Sequence, residues 1–209
     1  MEMKINYLVK NILLGFIGLV LIVIILNSPF ILALGKYSFI AWLFVAVVLV
    51  TLFLIIRKRS DKFLSGYVGE RDIDDELKNL SLDFVVINKG LDTGRGNIDK
   101  IVIGPSGVWT LEVKSQKGDI VPPESFLKQA YAEAKTLQDL IKAKLNLDIN
   151  VQPVLIFSNK FAKVRFGFNK QRGVYVIQKA WLNKLITETH VQSLDAETAK
   201  KIKSVIEVV

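Results

Sequence analysis

Residues 97–114, NIDKIVIGPSGVWTLEVK, predict a β-hairpin. Residues 97–104 and 108–114 are rich in the β-branched and aromatic residues that favour strands. Residues 104–107, GPSG, have the glycine and proline content of a tight turn. Two strands joined by so short a turn must be neighbours, so side chains on the two strands are expected to lie close together.

The second strand of this hairpin carries two opposite charges on one face. Because side chains alternate along a strand, Glu112 and Lys114 point to the same side as Val108. Taken alone, this pattern is typical of a solvated face on a half-exposed strand. Charged residues on neighbouring elements suggest a different interpretation.

The first strand adds a carboxylate at Asp99, which alternation places on the same face as Ile101 and Ile103. If Asp99 and Glu112 face the same side, two carboxylates converge without an arginine partner, which is unfavourable unless a cation neutralises them. Carboxylate oxygens suit a hard divalent cation, and the chain has no Cys and one His. The hairpin therefore predicts a site for Mg²⁺ (or Mn²⁺).

A helix is predicted before the hairpin, over residues 67–80, YVGERDIDDELKNL. Ile73, Leu77 and Leu80 form one apolar stripe. Glu70 falls on the same stripe, and an acid on a buried side is costly unless it is partnered. Glu70 could therefore supply a third oxygen to the metal. The alternative is a first-turn glutamate stabilised by the helix dipole.

Lys114 has a chemical role beside such a metal. An ammonium group next to a metal-bound water can help to hold or deprotonate the nucleophile, and it can stabilise charge on a phosphorus centre under attack. Metal, water and lysine are the parts needed to hydrolyse a phosphodiester.

Several short motifs, in this order, resemble a known family. They are Gly69–Glu70, Ile98–Asp99, Gly107–Val108, Glu112–Val113–Lys114, Gly118 and Gln129. Over about residues 66–190 the chain resembles the nuclease-related domain (NERD) family, a branch of the PD-(D/E)xK nuclease superfamily. The resemblance implies an α/β, restriction-endonuclease-like fold, a mixed β-sheet flanked by helices.

The same resemblance implies Mg²⁺-dependent hydrolysis of phosphodiester bonds in nucleic acid, with DNA favoured over RNA. Lys114 would serve the attacking water, and Gln129 would have either a catalytic role or a surface or capping role. The implied metal ligands are Glu70, Asp99, Glu112 and the carbonyl of Val113.

An alternative is a non-catalytic nucleic-acid-binding or scaffolding module at the membrane. Residues 118–126, GDIVPPESF, make a short segment between the hairpin and the next helix, where family members commonly have an aromatic-containing one. Residues 60–209 also carry a formal charge of only +3, since 22 Lys and Arg oppose 19 acids. The two functions differ in whether a metal is needed.

Residues 158–173, SNKFAKVRFGFNKQRG, combine basic and aromatic residues without an acid. Basic side chains contact phosphates and aromatic rings stack on bases, so the segment predicts a nucleic-acid contact. One alternative is a hairpin or loop whose Phe residues reach the core, and another is contact with an anionic membrane surface. The predicted contact residues are Lys160, Lys163, Arg165, Lys170 and Arg172.

Two apolar runs, residues 7–26 and 37–56, precede this region. Each is about 20 residues long, which suits a helix that spans a bilayer, and a cleavable signal peptide is the competing interpretation. Of the net charge of +8, residues 1–59 hold six Lys and Arg against one acid. Most of the basicity is therefore a topology signal. We expect a two-helix anchor in the lipid bilayer of the cell membrane, with both termini and the soluble domain cytoplasmic.

The soluble part, residues 60–209, has the element pattern of an α/β sandwich around a mixed sheet. A strand is predicted at residues 83–88 and a short one at residues 119–121. The remaining predicted elements are a helix from about Glu124 to Asn146, strands at residues 151–158 and 173–178, and closing helices at residues 181–186 and from Asp195.

Overall fold

The structure is a computed structural model of the 209-residue chain. It describes Gly15, Gly18, Gly35 and residues 38–88, 91–92 and 97–208. The chain divides into two compact units, Met1–Leu64 and Ser65–Val209. The second unit contains every residue predicted to act in the site.

The helix α1 (Ser38–Leu77) includes most of the second predicted membrane segment. Apolar side chains along it, among them Phe44 and Phe53, are exposed. Among the described residues, no helix is both long enough and apolar enough to cross a membrane. The predicted span at residues 7–26 lies outside the described residues apart from two glycines. The predicted transmembrane hairpin is therefore not supported.

The second unit is built on a mixed β-sheet. The strands are β1 (Val85–Ile87), β2 (Leu91–Asp92), β3 (Asn97–Ile98), β4 (Lys100–Gly104), β5 (Gly107–Lys114), β6 (Gly118–Asp119), β7 (Val151–Phe157), β8 (Ala162–Lys163) and β9 (Tyr175–Gln178). Within the described part of the chain, five of them form a sheet in the order β1–β4–β5–β7–β9. The β1–β4 and β4–β5 pairs are antiparallel, whereas β5–β7 and β7–β9 are parallel. The β2–β3 and β6–β8 pairs form two small separate sheets.

Helices cover both faces of the central sheet. They are α2 (Glu124–Leu145), α3 (Leu182–Glu188), which follows a 3-10 turn at Lys179–Trp181, and α4 (Ala196–Val208). The α2 helix ends where Asn146 adopts a left-handed conformation (φ 54°) and donates its N–H to the carbonyl of Lys142. This arrangement confirms the predicted α/β fold with a mixed sheet flanked by helices.

The two faces of β5 belong to different parts of the core. Val108 packs with Leu137 of α2 and Ile202 of α4. Trp109 points the other way and packs with Ile73 of α1 and residues of α3. Since Glu112 lies an even number of residues from Val108, its side chain is on the face covered by α2.

The continuous strand predicted over residues 97–104 is wrong, because the chain bends at Asp99 between β3 and β4. In an unbroken strand Ile98 and Ile101 would point to opposite faces. The bend lets both of them bury their side chains in one cluster with Ile103. Asp99 is consequently freed from strand alternation, and its carboxylate is directed by a hydrogen bond instead.

Candidate active site

The carboxylate of Asp99 is bound to the end of β5. Its Oδ2 accepts a hydrogen bond of 2.9 Å from the backbone N–H of Val113. Antiparallel pairing of β4 with β5 places Lys100 opposite Leu111, so Asp99 lies beside the last residues of the strand. The hydrogen bond brings Asp99 to the segment that carries Glu112 and Lys114, as predicted from the hairpin.

Glu112 and Lys114 form an ion pair on the α2 face of β5. The ammonium of Lys114 donates to Oε1 of Glu112. Glu112 is only 3% exposed, whereas the Lys114 side chain is 23% exposed. The Lys114 ammonium also lies 4.6 Å from the ring centroid of Phe126, in the first turn of α2. Lys114 therefore connects a buried carboxylate with the solvent at the end of β5.

Glu133, on α2, is a member of the site that sequence reasoning missed. Its side chain is 3% exposed and lies beside Glu112, and its Oε1 accepts a hydrogen bond of 2.9 Å from Nε2 of Gln129. A signal was present, because Glu133 interrupts the apolar stripe that includes Ala130 and Leu137. The same reasoning had selected Glu70 on the preceding helix.

Gln129 is connected to β5 through this glutamate. Its amide binds the carboxylate of Glu133, which in turn neighbours Glu112. The predicted family glutamine is thus linked to the site indirectly, through one side chain.

The pKa values of three carboxyl groups at the site, those of Asp99, Glu112 and Glu133, are raised. Burial, and then the charge of Asp99, raise the pKa of Glu112, while Lys114 lowers it. Burial also raises the pKa of Asp99, against the lowering effect of the Val113 N–H, and the charge of Glu70 raises it further. Burial and the neighbouring charge of Glu112 raise the pKa of Glu133 to about 8. Crowded, desolvated carboxylates of this kind are typical of functional sites.

Glu70 approaches the site because α1 packs tightly against the ends of the central strands. A Cβ atom added at Gly69 would lie 2.4 Å from Oγ of Ser158, so only glycine fits without a shift. A partly buried ion pair of 2.6 Å between Lys100 and Asp74 also joins this helix to β4. These contacts bring the charge of Glu70 near Asp99.

The carboxylates of the site are the candidate ligands for a metal ion. Among the described residues, no group of three or more His, Asp or Glu side chains is placed to hold one. Asp99 and Glu112 are nevertheless neighbours, and Oε2 of Glu112 is buried with no hydrogen-bond partner in the described part of the chain. Mg²⁺ commonly uses one or two carboxylates and keeps several waters. Asp99 and Glu112 thus fit a partly hydrated cation better than the predicted set of four ligands does.

The five basic residues predicted to bind nucleic acid do not have equivalent surroundings. Arg165 pairs with Asp119 at 2.8 Å, and Arg172 pairs with Glu124 at 2.6 Å. The Lys170 ammonium donates to Oε1 of Gln152 at 2.6 Å, and burial lowers its pKa.

Lys160 and Lys163 differ from these three. Over the described residues, neither forms a salt bridge, and Lys160 lies 5.0 Å from the ring centroid of Phe161. Phe166 and Phe168 pack against the core, in line with the alternative interpretation, but Phe161 is exposed.

The comparison with protein families agrees with this geometry. Residues 65–158 match the family model NERD, the nuclease-related domain. The matched segment contains the whole arrangement around Glu112, including Asp99, Lys114 and Glu133. This part of the chain is therefore similar to the nuclease-related domain family.

Two solved structures are similar to the chain at low identity. SfsA from Pyrococcus furiosus, in complex with Ca²⁺, is 14% identical with a TM-score of 0.28, over 68% of this chain and 53% of that one. The small subunit of the heterodimeric restriction endonuclease R.BspD6I is 16% identical with a TM-score of 0.26, over 68% of this chain and 89% of that one. The chain spans about half the length of SfsA. The chain matches no curated protein sequence.

Proposed function

We propose that the second unit, part of which is similar to the nuclease-related domain family, hydrolyses phosphodiester bonds in nucleic acid, using Mg²⁺ or Mn²⁺, with DNA favoured over RNA. The observation that supports this best is the hydrogen bond from Val113 N–H to Asp99, which puts a second carboxylate beside the Glu112–Lys114 ion pair. Burying two crowded carboxylates destabilises a fold, and such a pair beside a partly exposed lysine is typical of a functional site.

The proposed roles follow from where each side chain lies. Asp99 and Glu112 would hold the cation, which supplies Lewis-acid charge at the phosphate and acidifies a bound water. Lys114 retains access to solvent, so its ammonium can orient the attacking water and stabilise negative charge that develops on the phosphate oxygens. Glu133 lies beside Glu112 on the α2 side, and Gln129 holds Glu133 in place through a hydrogen bond.

Cleavage assays with the full chain test this proposal. Supercoiled plasmid, single-stranded DNA and RNA would be incubated with Mg²⁺, Mn²⁺ or chelator. We expect metal-dependent cleavage that is lost in Asp99→Ala and in Lys114→Ala. The matched control is Asp75→Ala, which removes an exposed acid whose salt bridge, within the described residues, is with Lys78 three positions along the chain. Full activity in both site variants would overturn the assignment.

A second candidate function is a nucleic-acid-binding or scaffolding module that performs no chemistry. Two observations favour it: no cluster of three metal-binding side chains among the described residues, and the pairing of Glu112 with Lys114, which already neutralises its charge. Calorimetric titration with Mn²⁺ separates the candidates. Only the nuclease needs to bind a cation, and Asp99→Asn should abolish that binding.

We also propose that the first 59 residues hold the domain at a membrane, with the domain on the cytoplasmic side. Support comes from the two apolar runs and the basic residues that flank them. The exposed apolar side chains of residues 40–56 add to it, since such a surface is costly in water. Fractionation of cells, followed by extraction of membranes at high pH and protease digestion from either side, tests both the attachment and the orientation.

A further inference from the structure

Two short paired strands lie next to the end of β5 at which Lys114 is located. They belong to residues 117–120 and 160–163, with β6 and β8 paired in parallel. The Gly118 N–H donates to the Phe161 carbonyl at 3.0 Å, and the Ile120 N–H donates to the Lys163 carbonyl at 3.0 Å. We call these two segments the ribbon.

The ribbon adjoins the end of β5, to which it is connected by a backbone hydrogen bond. The Ser158 N–H donates to the Lys114 carbonyl at 2.9 Å, immediately before the second segment of the ribbon begins. The first segment begins three residues after Lys114. A ligand on the ribbon would therefore lie next to the candidate site.

Phe161 is displayed on this ribbon. Its side chain is 63% exposed, although neighbouring Ala162 is 3% exposed and packs in the core. The backbone beneath the ring is held, because the Phe161 N–H donates to Oδ1 of Asn159 at 2.9 Å and the Ala162 N–H donates to the Asn159 carbonyl at 2.9 Å. An exposed ring on a fixed backbone can stack on a planar ligand with little loss of backbone entropy.

The charge around Phe161 is positive. Lys117, Lys160 and Lys163 are exposed and form no salt bridge within the described residues, and the Lys160 ammonium lies 5.0 Å from the Phe161 ring centroid. Asp119, the one acid of the ribbon, is already paired with Arg165 at 2.8 Å. An exposed aromatic ring on two paired segments that carry three lysines outside any described salt bridge matches the alternation of base and phosphate in a nucleic-acid strand.

We propose that the ribbon binds a single-stranded segment of nucleic acid, with an unpaired base stacked on Phe161 and phosphates contacted by Lys117, Lys160 and Lys163. In a duplex the faces of the bases are covered by their neighbours, so stacking on a side chain selects unpaired nucleotides. This inference rests on the proposed function and names its substrate class. The strand bound at Phe161 leads to the phosphodiester placed beside Lys114.

Binding of a fluorescent oligothymidylate to the full chain, measured by anisotropy in chelator, tests the inference without cleavage. Phe161→Ala should weaken binding about 5- to 100-fold, which corresponds to the loss of one stacked base. Phe161→Trp should keep the affinity. The matched control is Tyr131→Ala, which removes an exposed aromatic side chain of α2 and should have little effect. A duplex of equal length should bind more weakly and should not respond to Phe161→Ala.

Three results would overturn the inference: unchanged oligothymidylate binding in Phe161→Ala, equal loss of duplex binding, or Phe161-dependent binding to anionic vesicles without binding to oligothymidylate. Thermal denaturation of each variant shows that it is folded. The two proposals fail separately. Phe161-dependent binding without cleavage in any metal would leave the ribbon assigned and reject the nuclease, and metal-dependent cleavage without Phe161-dependent binding would do the reverse.

Discussion

Glu133 on α2 and Glu112 on β5 bury their carboxyl groups side by side, and in the described part of the chain each has one oxygen without a hydrogen-bond partner. Two carboxylates cannot both be ionised at such a place without a large cost. A proton held by Glu133 resolves this, since it lets one carboxyl group donate to the other. The raised pKa of Glu133, about 8, is consistent with such a proton.

Replacing Glu133 with Gln should stabilise the fold at alkaline pH. The pKa of Glu133 is near 4.5 when unfolded and about 8 when folded, so the folded state binds more protons between these values and stability falls as pH rises through this range. In Glu133→Gln the side-chain amide still donates a hydrogen bond to Glu112, and it has no proton to lose as the pH rises. We expect it to raise the free energy of unfolding by about 2–4 kcal/mol at pH 8.5, with no gain at pH 4. Urea denaturation across this range measures it, and an unchanged pH dependence would contradict the assignment.

Two substitutions at Asp99 should separate its structural and metal-binding roles. Asp99→Asn keeps an oxygen that accepts from the Val113 N–H, whereas Asp99→Ala leaves that N–H without its partner. We expect both variants to lose cleavage and Mn²⁺ binding, but only Asp99→Ala to lose about 1–3 kcal/mol of stability. Calorimetric titration and denaturation are the two measurements. If Asp99→Asn retained the wild-type affinity for Mn²⁺, Asp99 would not be a ligand.

The ion pair of Lys114 with Glu112 should behave as a coupled unit. Lys114→Met leaves a buried carboxylate without its cation, which we expect to cost about 2–3 kcal/mol at neutral pH. Adding Glu112→Gln should restore much of this stability, because the charge that lacked a partner is gone, while cleavage stays absent. A double-mutant cycle in denaturant gives the coupling energy. Additive effects would mean that the two side chains do not interact in solution.

The close approach at Gly69 predicts a rescue by a second substitution. Gly69→Ala brings a Cβ within 2.4 Å of Oγ of Ser158, and we expect it to cost about 1–3 kcal/mol and to reduce cleavage by moving Glu70. Ser158→Ala removes that oxygen, and the remaining contacts of the new methyl group are 3.4 Å or longer. The double variant should recover stability and activity relative to Gly69→Ala. If the double variant were as impaired as Gly69→Ala alone, the close contact with Ser158 would not be the reason for glycine at this position, and the conformational freedom of its backbone would be.

Local rules were sufficient for the elements that carry the site. Alternation placed Glu112 and Lys114 on one face of a strand, and the observed ion pair agrees with that. Helical periodicity predicted α2 to within a residue of its observed end. These features depend on neighbours a few residues apart, which a sequence displays directly.

The position of Asp99, the partner of Glu112 and the exposure of Phe161 were decided by tertiary structure. Asp99 leaves the strand because burying both Ile98 and Ile101 in one cluster requires a bend there. Glu133 meets Glu112 because α2 packs on that face of the sheet. Of the three Phe residues between Asn159 and Asn169, only Phe161 has an exposed side chain, whereas Phe166 and Phe168 pack against the core. Local patterns in the sequence show which side chains share a face of one element. They do not show which faces meet or which side chains remain in water, because both depend on long-range packing.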